Sequence, residues 1–231
     1  MPLEPQLEPS EFAAINRGRA TLYSFLSTIY SKELTAVAIS ELKNLDINIL
    51  TTVLEEPDII KGVELLKQYI NNLEGRDLKE VEVELAVEYA NLFLGVQQIV
   101  PHPSESVYLS EEHLLMQKQR DEVVEMYRQI MVEVLPDFTE PEDHIAVELA
   151  FMAYLSEKTA TSLEQNKIDE ALQYIKYQKR FLDEHLTRWV PMLCRDILNG
   201  AKTSFYQGIA MITRGFVAAD KDIVNEMLKS I

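Results

Sequence analysis

Apolar residues recur every three to four positions along most of this 231-residue chain, the period of helices with one buried face. Ser10 is placed to cap a first helix reaching about Tyr30, with Phe12, Ile15, Leu22, Phe25, Leu26 and Ile29 on its inner side. The same reading predicts helices at Thr35–Asn44, Asp46–Glu55 and Pro57–Glu74, the last stopped by Gly75. From Asp77 to about Leu94, the residues Leu78, Val81, Leu85, Tyr89 and Leu92 share one face, and Gly95 ends the helix. Residues 95–109 are the longest stretch without helical pattern, held extended by Pro101 and Pro103. A long helix is then expected from Ser110 until Pro136 ends it, burying Met116, Val123, Tyr127, Ile130 and Val134. The next runs from Thr139, which forms an S/T-x-x-E capping box with Glu142, to about Lys158. Ile168, Leu172, Ile175, Leu182, Leu186 and Trp189 mark another helix, kinked or broken at Pro191. After a turn at Asn199 and Gly200, two more helical segments finish the chain. The expected fold is all-α: a loose, proline-punctuated tail at residues 1–9, then a single-domain multi-helix bundle over 10–231.

Composition agrees, with 47% hydrophobic residues and only 7 glycines. Charge adds something the periodicity does not. The net charge is −16, and residues 101–148 alone carry 3 Lys and Arg against 12 Asp and Glu. Such a surface disfavours nucleic acid and anionic membrane, and suits a cationic partner or simply solubility. A lone cysteine, Cys194, excludes a disulfide framework and points to a reducing compartment. The acidic N-terminus does not read as a signal or transit peptide, and no apolar run approaches the ~18 residues of a membrane span. The protein is expected to be cytoplasmic and soluble; self-association is left open.

Catalytic motifs are missing. The residue three before each histidine is Ile99, Ser110, Pro141 or Leu182, so the Glu-x-x-His pairs of di-iron bundles do not occur. His-Glu-x-x-His, the P-loop, Gly-x-Gly-x-x-Gly and Gly-x-Ser-x-Gly are absent too. His144 and Glu148, four apart, would supply two metal ligands, too few for a site. No catalytic residue, metal or cofactor is assigned, and His102, His113 and His185 receive no role. A helical metal- or small-ligand enzyme using Glu140, His144 and Glu148 stands as an alternative, as does a plain adaptor bundle.

The segment from Thr139 to Leu155 is the most informative in the chain. Glu140, Glu142 and Asp143 crowd the expected first turn, ahead of a helix apolar on most sides. Attraction to the helix dipole, about 0.3–1 kcal/mol each, explains them by itself. The three charges also outweigh the dipole, so that the helix mouth would accept a guanidinium. Glu148 is then partly buried, with His144 or a tyrosine as partner.

Glu140–Met152, E-P-E-D-H-I-A-V-E-L-A-F-M, resembles the signature of the TorD/DmsD family of cytoplasmic chaperones for molybdenum-containing redox enzymes. Glu88–Gly95 is similar to that family's Tyr-x-x-Leu-Phe-x-Gly helix end, and Pro101–Tyr108 to its proline loop closing in Glu-Ser-Val-Tyr. Phe181–Pro191 resembles its Phe-Leu-x-x-His-Leu-x-x-Trp-x-Pro segment. The resemblance implies a non-enzymatic protein that binds the twin-arginine signal peptide of an exported molybdoenzyme, its apo-form, or both. It implies that the same chaperone delays export and assists cofactor insertion into the apo-form. Carried over by position, it places Asp143 and His144 against the peptide, with Glu140 and Pro141 shaping the mouth. Tyr89, Leu92 and Phe93 would line the apolar side, and Pro103, Glu105, Ser106 and Tyr108 the loop wall. Thr139, Glu142, Glu148 and Trp189 would support them.

Overall fold

The computed structural model describes residues 8–48, 50–51, 54–95, 100–134 and 138–230. The first four helices follow the periodicity closely: α1 (Pro9–Ser31), α2 (Ala36–Asn44), α3 (Pro57–Asn71) and α4 (Leu78–Phe93). Thr35, Glu56 and Asp77 cap the last three by accepting amide N–H groups of the first turn. Gly75 and Gly95 lie beyond α3 and α4 at φ of 75° and 69°, the left-handed region that glycine reaches without steric cost. The start of α1 departs from expectation. Pro9 is its first residue rather than the end of a tail, because a helix's first residue needs no amide N–H. Glu8, not Ser10, precedes it as cap, its own N–H donating to Glu11 Oε2 at 2.8 Å. Residues 1–7 of the predicted tail, and part of the predicted helix at 46–55, lie outside the described residues.

The middle of the chain is less helical than its pattern suggests. A short helix, α5 (Glu105–Leu109), sits inside the stretch expected to be extended. The helix expected from Ser110 begins instead at Lys118, as α6 (Lys118–Gln129). His113 and Met116 hold φ of 54° and 60°, which no α-helix accommodates, and Met116 is exposed rather than buried. Val123 and Tyr127 are core residues, while Val134 lies past the helix, half-buried. Pro136 is outside the described residues.

α7 (Ile145–Glu164) and α8 (Ile168–Phe181) follow. α8 passes through one widened π-turn, Leu182–Leu186, into α9 (Thr187–Gly200). Pro191 sits inside α9 without ending it, since burial of Trp189, Val190, Leu193 and Cys194 on both sides holds the helix together. The last two predicted segments are one helix, α10 (Ser204–Ser230). Gly208 within it allows α3 to approach so closely that a Cβ there would stand 2.8 Å from the Gly62 carbonyl. Among the described residues there is no β-strand, only an isolated bridge between Ser104 and His144.

These helices enclose one continuous core, in which Trp189, Tyr23, Tyr30, Tyr206, Phe181, Phe205 and Phe216 are fully buried. α1 packs along α7 on one side, and α10 along α3 on the other. A buried ion pair ties α1 to α10. Arg19 donates to both oxygens of Asp220 at 2.5 and 2.8 Å, and Tyr23 Oη donates to Asp220 Oδ2 at 2.6 Å. Arg19 also reaches Asn16 Oδ1 at 2.6 Å. Removing one partner strands a charge in the core, which costs about 3–5 kcal/mol. Asp220→Ala should therefore lower unfolding stability by about that amount in a denaturant titration; a loss under about 1 kcal/mol would show that the pair does not hold α10 in place.

Candidate functional site

The Glu-Pro-Glu-Asp-His segment is a turn rather than the first turn of a helix. α7 begins at Ile145, and its cap is His144, whose Nδ1 accepts the Ala146 N–H at 3.1 Å. The Thr139–Glu142 capping box is not formed: Thr139 is exposed, and both Glu142 oxygens are taken by Arg120 of α6 at 2.7 and 2.5 Å. That guanidinium holds the Glu142 carboxyl below its ordinary range. Tyr127 Oη also donates to the Glu142 carbonyl at 3.0 Å. A bidentate arginine outcompetes one capping bond, and the turn is pulled toward α6.

Directly behind lies a polar knot. Asp143 Oδ2 accepts the Ser106 N–H at 2.8 Å, and the Asp143 carbonyl accepts that of Glu105 at 2.9 Å. Asp143 thus caps α5, while the Pro103 carbonyl accepts the Ile145 N–H at 2.9 Å. Glu105 and His185 meet at 2.8 Å through Oε2 and Nδ1, and Trp189 Nε1 donates to Glu148 Oε2 at 2.9 Å. The partner of Glu148 is therefore the indole, not His144 or a tyrosine, because the His144 ring is spent on capping. Asp143, Glu105 and Glu148 are wholly buried, and each keeps one oxygen with no other hydrogen-bond donor in reach. Burial, reinforced by the charge of Glu105, pushes the Glu148 carboxyl well up. Burial likewise raises Glu105, against the pull of His185. Glu148 and Glu105 lie close enough that charge on Glu105 raises the cost of ionising Glu148, so burial disfavours charging both at once. Among the described residues no three His, Cys, Asp or Glu side chains are grouped to hold a metal ion.

In front of the knot, a trough follows the seam between α1 and α7. Its most apolar part, about 460 Å³, is lined by Ser27, Ser31, Val134, Phe138, Val147 and Phe151 among others, with Glu133 at its rim. Ser27, Ala150 and Tyr154 are shared with a shallower extension past Ala20, Ser24 and Ala153 to Glu157. In the other direction Ser31 is shared with a hollow of about 220 Å³ walled by Lys32, Glu33, Tyr89, Phe93, Leu94, His102, Glu140 and His144. There His102 Nε2 donates to Glu140 Oε2 at 3.0 Å, with its Nδ1 3.1 Å from Ser104 Oγ.

The predicted site residues therefore fall into two groups. Glu140, His144, Tyr89 and Phe93 meet in the hollow, although Tyr89 is also anchored, donating to the Tyr30 carbonyl at 2.9 Å. Pro141 shapes the adjoining turn. Asp143, Pro103, Glu105 and Ser106 are enclosed in and around the knot, and Leu92 is buried in the core. Tyr108 packs on Trp189 with ring centroids 5.5 Å apart. Sequence reasoning passed over His102, His185 and the α1 wall of the trough. The wall had a signal: Ala20, Ser24, Ser27 and Ser31 recur at helical spacing opposite Ala146, Ala150 and Ala153. His185 stood in the Phe-Leu-x-x-His segment, but its pairing with Glu105, 80 residues away, had no local signal.

The described residues thus form an all-helical bundle with a buried carboxyl knot and an open apolar trough beside it. Residues 56–195, more than half of the chain, match the family described as nitrate reductase delta subunit, and the chain belongs to that family. The TorD/DmsD likeness read from its motifs holds across nearly the full length. The chain is 28% identical to the chaperone protein TorD of Aliivibrio fischeri over 91% of its own residues and 96% of that protein's. With the chaperone protein TorD of Vibrio cholerae the identity is 26% over 95% and 97%. With that of Vibrio parahaemolyticus it is 29% over 91% and 96%. No helix among the described residues is long and apolar enough to cross a membrane.

The knot sets a pH signature. Burial, and secondarily His102, lowers His144 to about 3, so its neutral capping form contributes stability above the unfolded value of about 6.5. That contribution is lost as pH falls from about 6.5 to about 3. Asn caps without titrating, so His144→Asn should flatten the acid limb of a stability-versus-pH curve; an unchanged limb would rule out His144 as its source. Glu148 is raised, so its contribution is present at low pH and is lost as pH rises through the folded value. Glu148→Gln should flatten the alkaline side.

Proposed function

We propose that this protein is a cytoplasmic maturation chaperone that binds the twin-arginine leader of an exported molybdenum-containing oxidoreductase along the α1–α7 trough. On this reading it holds the leader back from export while the apo-enzyme accepts its cofactor, and it carries no cofactor of its own. The observation that supports this best is the junction of an apolar hollow with an acidic one, matching a leader in which two arginines precede an apolar stretch. Among the described residues, exposed Glu33 has no ion-pair partner, and Glu140 is bonded to His102 alone. Both carboxylates lie close enough to Tyr89 to help hold its phenol protonated, after burial has done most of that work. The chaperone names of the relatives support the same reading.

The energies suit a grip that must later release. Two charge-assisted hydrogen bonds and three buried apolar side chains contribute roughly 7.5–15 kcal/mol. Ordering a flexible leader subtracts about 2–5 kcal/mol, leaving an affinity near the micromolar range.

Calorimetry with a synthetic twin-arginine leader tests this. Glu140→Lys, and Ala150→Glu in the trough floor, should each weaken binding about tenfold or more, equivalent to about 1.4 kcal/mol, with the helical circular dichroism unchanged. Wild-type protein that binds no leader from any candidate client, or that binds a leaderless client equally well, would defeat the leader reading. Asp143→Asn is a poor probe, because it acts first on the knot.

A further inference from the structure

The trough is asymmetric, and we infer from this that a leader lies in one direction only: arginines at the Glu33–Glu140 end, apolar segment running parallel to α7. This rests on the leader reading above and adds the polarity of the bound chain. Three features set it.

The first is the set of helix ends and carboxylates gathered at the acidic hollow. α1 terminates at Ser31 and α4 at Phe93, and both residues wall the acidic hollow. A helix C-terminus carries roughly half a negative charge, so two of them add to Glu33 and Glu140 there. Among the described residues lining that hollow, Lys32 is the one lysine or arginine. The α7 N-terminus opposes one of them with roughly half a positive charge, so the helix ends together still leave about half a negative charge beside Glu33 and Glu140.

The second is the opposite end, whose carboxylates are already engaged. Glu157 pairs with Arg17, and Glu164 accepts from the same guanidinium at 2.8 and 3.2 Å. An arginine of the leader would meet a resident arginine at that end.

The third is length. From His144 to Glu157 the trough follows 13 residues of α7, about 20 Å at 1.5 Å per residue. The apolar hollow lies between the two ends, sharing Ser31 with one and Ser27 with the other. A chain entering with its arginines at Glu140 reaches the apolar hollow next, in the order of a twin-arginine leader. The reverse orientation puts the arginines against Arg17.

Site-specific crosslinking reads the direction. Two leaders are made, one with a maleimide just before the arginines and one with it just after the apolar segment. Each is mixed with Leu94→Cys, at the acidic end, or Thr21→Cys, at the other; both positions are exposed. The native Cys194 stays silent, being fully buried with its thiol pushed up to about 12. The leading label should couple to Leu94→Cys and the trailing label to Thr21→Cys, with loss of each product in the crossed pair. Lys32→Cys and Ser24→Cys repeat the comparison should either first variant fold or bind poorly. The opposite pairing, or equal coupling at both ends, overturns the polarity while leaving leader binding intact. A calorimetric blank with unlabelled leader and wild-type protein defeats the leader reading itself, and the polarity with it.

Discussion

Two helices are ended and a loop is fastened by one residue pair, and the geometry of the trough depends on it. Asp143 uses its carboxylate and carbonyl to receive the first amides of α5, while His144 caps α7. Because both residues are committed in this way, the turn before them cannot wind into the helix. Glu140 is thereby left at the protein surface beside His102 instead of facing the interior. The knot behind it concentrates three carboxyls in a space without solvent, which is tolerable only with neutralisation. Burial holds Glu148 toward its neutral form, and hydrogen bonds from the Trp189 indole and the Ser106 N–H, with the His185 contact on Glu105, serve one oxygen of each carboxyl. The widened turn at Leu182–Leu186 contains His185 and leads into the helix that carries Trp189, so a departure from regular helix serves the same cluster.

The motifs shared with the family converge on this knot more than on the trough. Glu105 comes from the loop, Asp143, His144 and Glu148 from the central signature, His185 and Trp189 from the last segment. Their spacing is dictated by burial, and a binding protein built this way can vary its trough without disturbing its frame. His144 belongs to both: its Nδ1 is in the frame, and its ring forms part of the hollow, edge-on to His102 at 5.7 Å.

Periodicity made the helices legible wherever one face alone is buried, as in α1, α3, α4 and α8. It misled where distant partners decide. Thr139 and Glu142 have ideal capping spacing, but Arg120, 22 residues earlier, claims Glu142. The stretch from Ser110 carries a helical stripe, yet His113 and Met116 adopt left-handed backbone angles and the loop is pinned by Gln117 N–H on Ser106 Oγ at 3.2 Å. Gly208, easily read as a break, is a packing residue against α3. For the site, the acidic character of the mouth was readable from composition. Which carboxylates face outward was not, since that follows from Asp143 being drawn into a loop nearly forty residues away in sequence (|i−j| of 37).

On the proposed leader reading, the neutral state of His144 also bears on recognition. A charged imidazolium at the start of α7 would add to the positive end of that helix and cancel much of the field from Glu33 and Glu140. Burial, with His102 as the lesser cause, removes that charge at physiological pH. The same desolvation that makes His144 a good cap therefore leaves the hollow anionic, with two helix C-termini aimed into it. Frame and recognition are coupled through one ring nitrogen: protonating it would weaken the α7 cap and blunt the attraction for a cation in a single step. A capping side chain that does not titrate keeps the α7 cap and removes both effects of protonation, so capping and titration are separable although they share an atom.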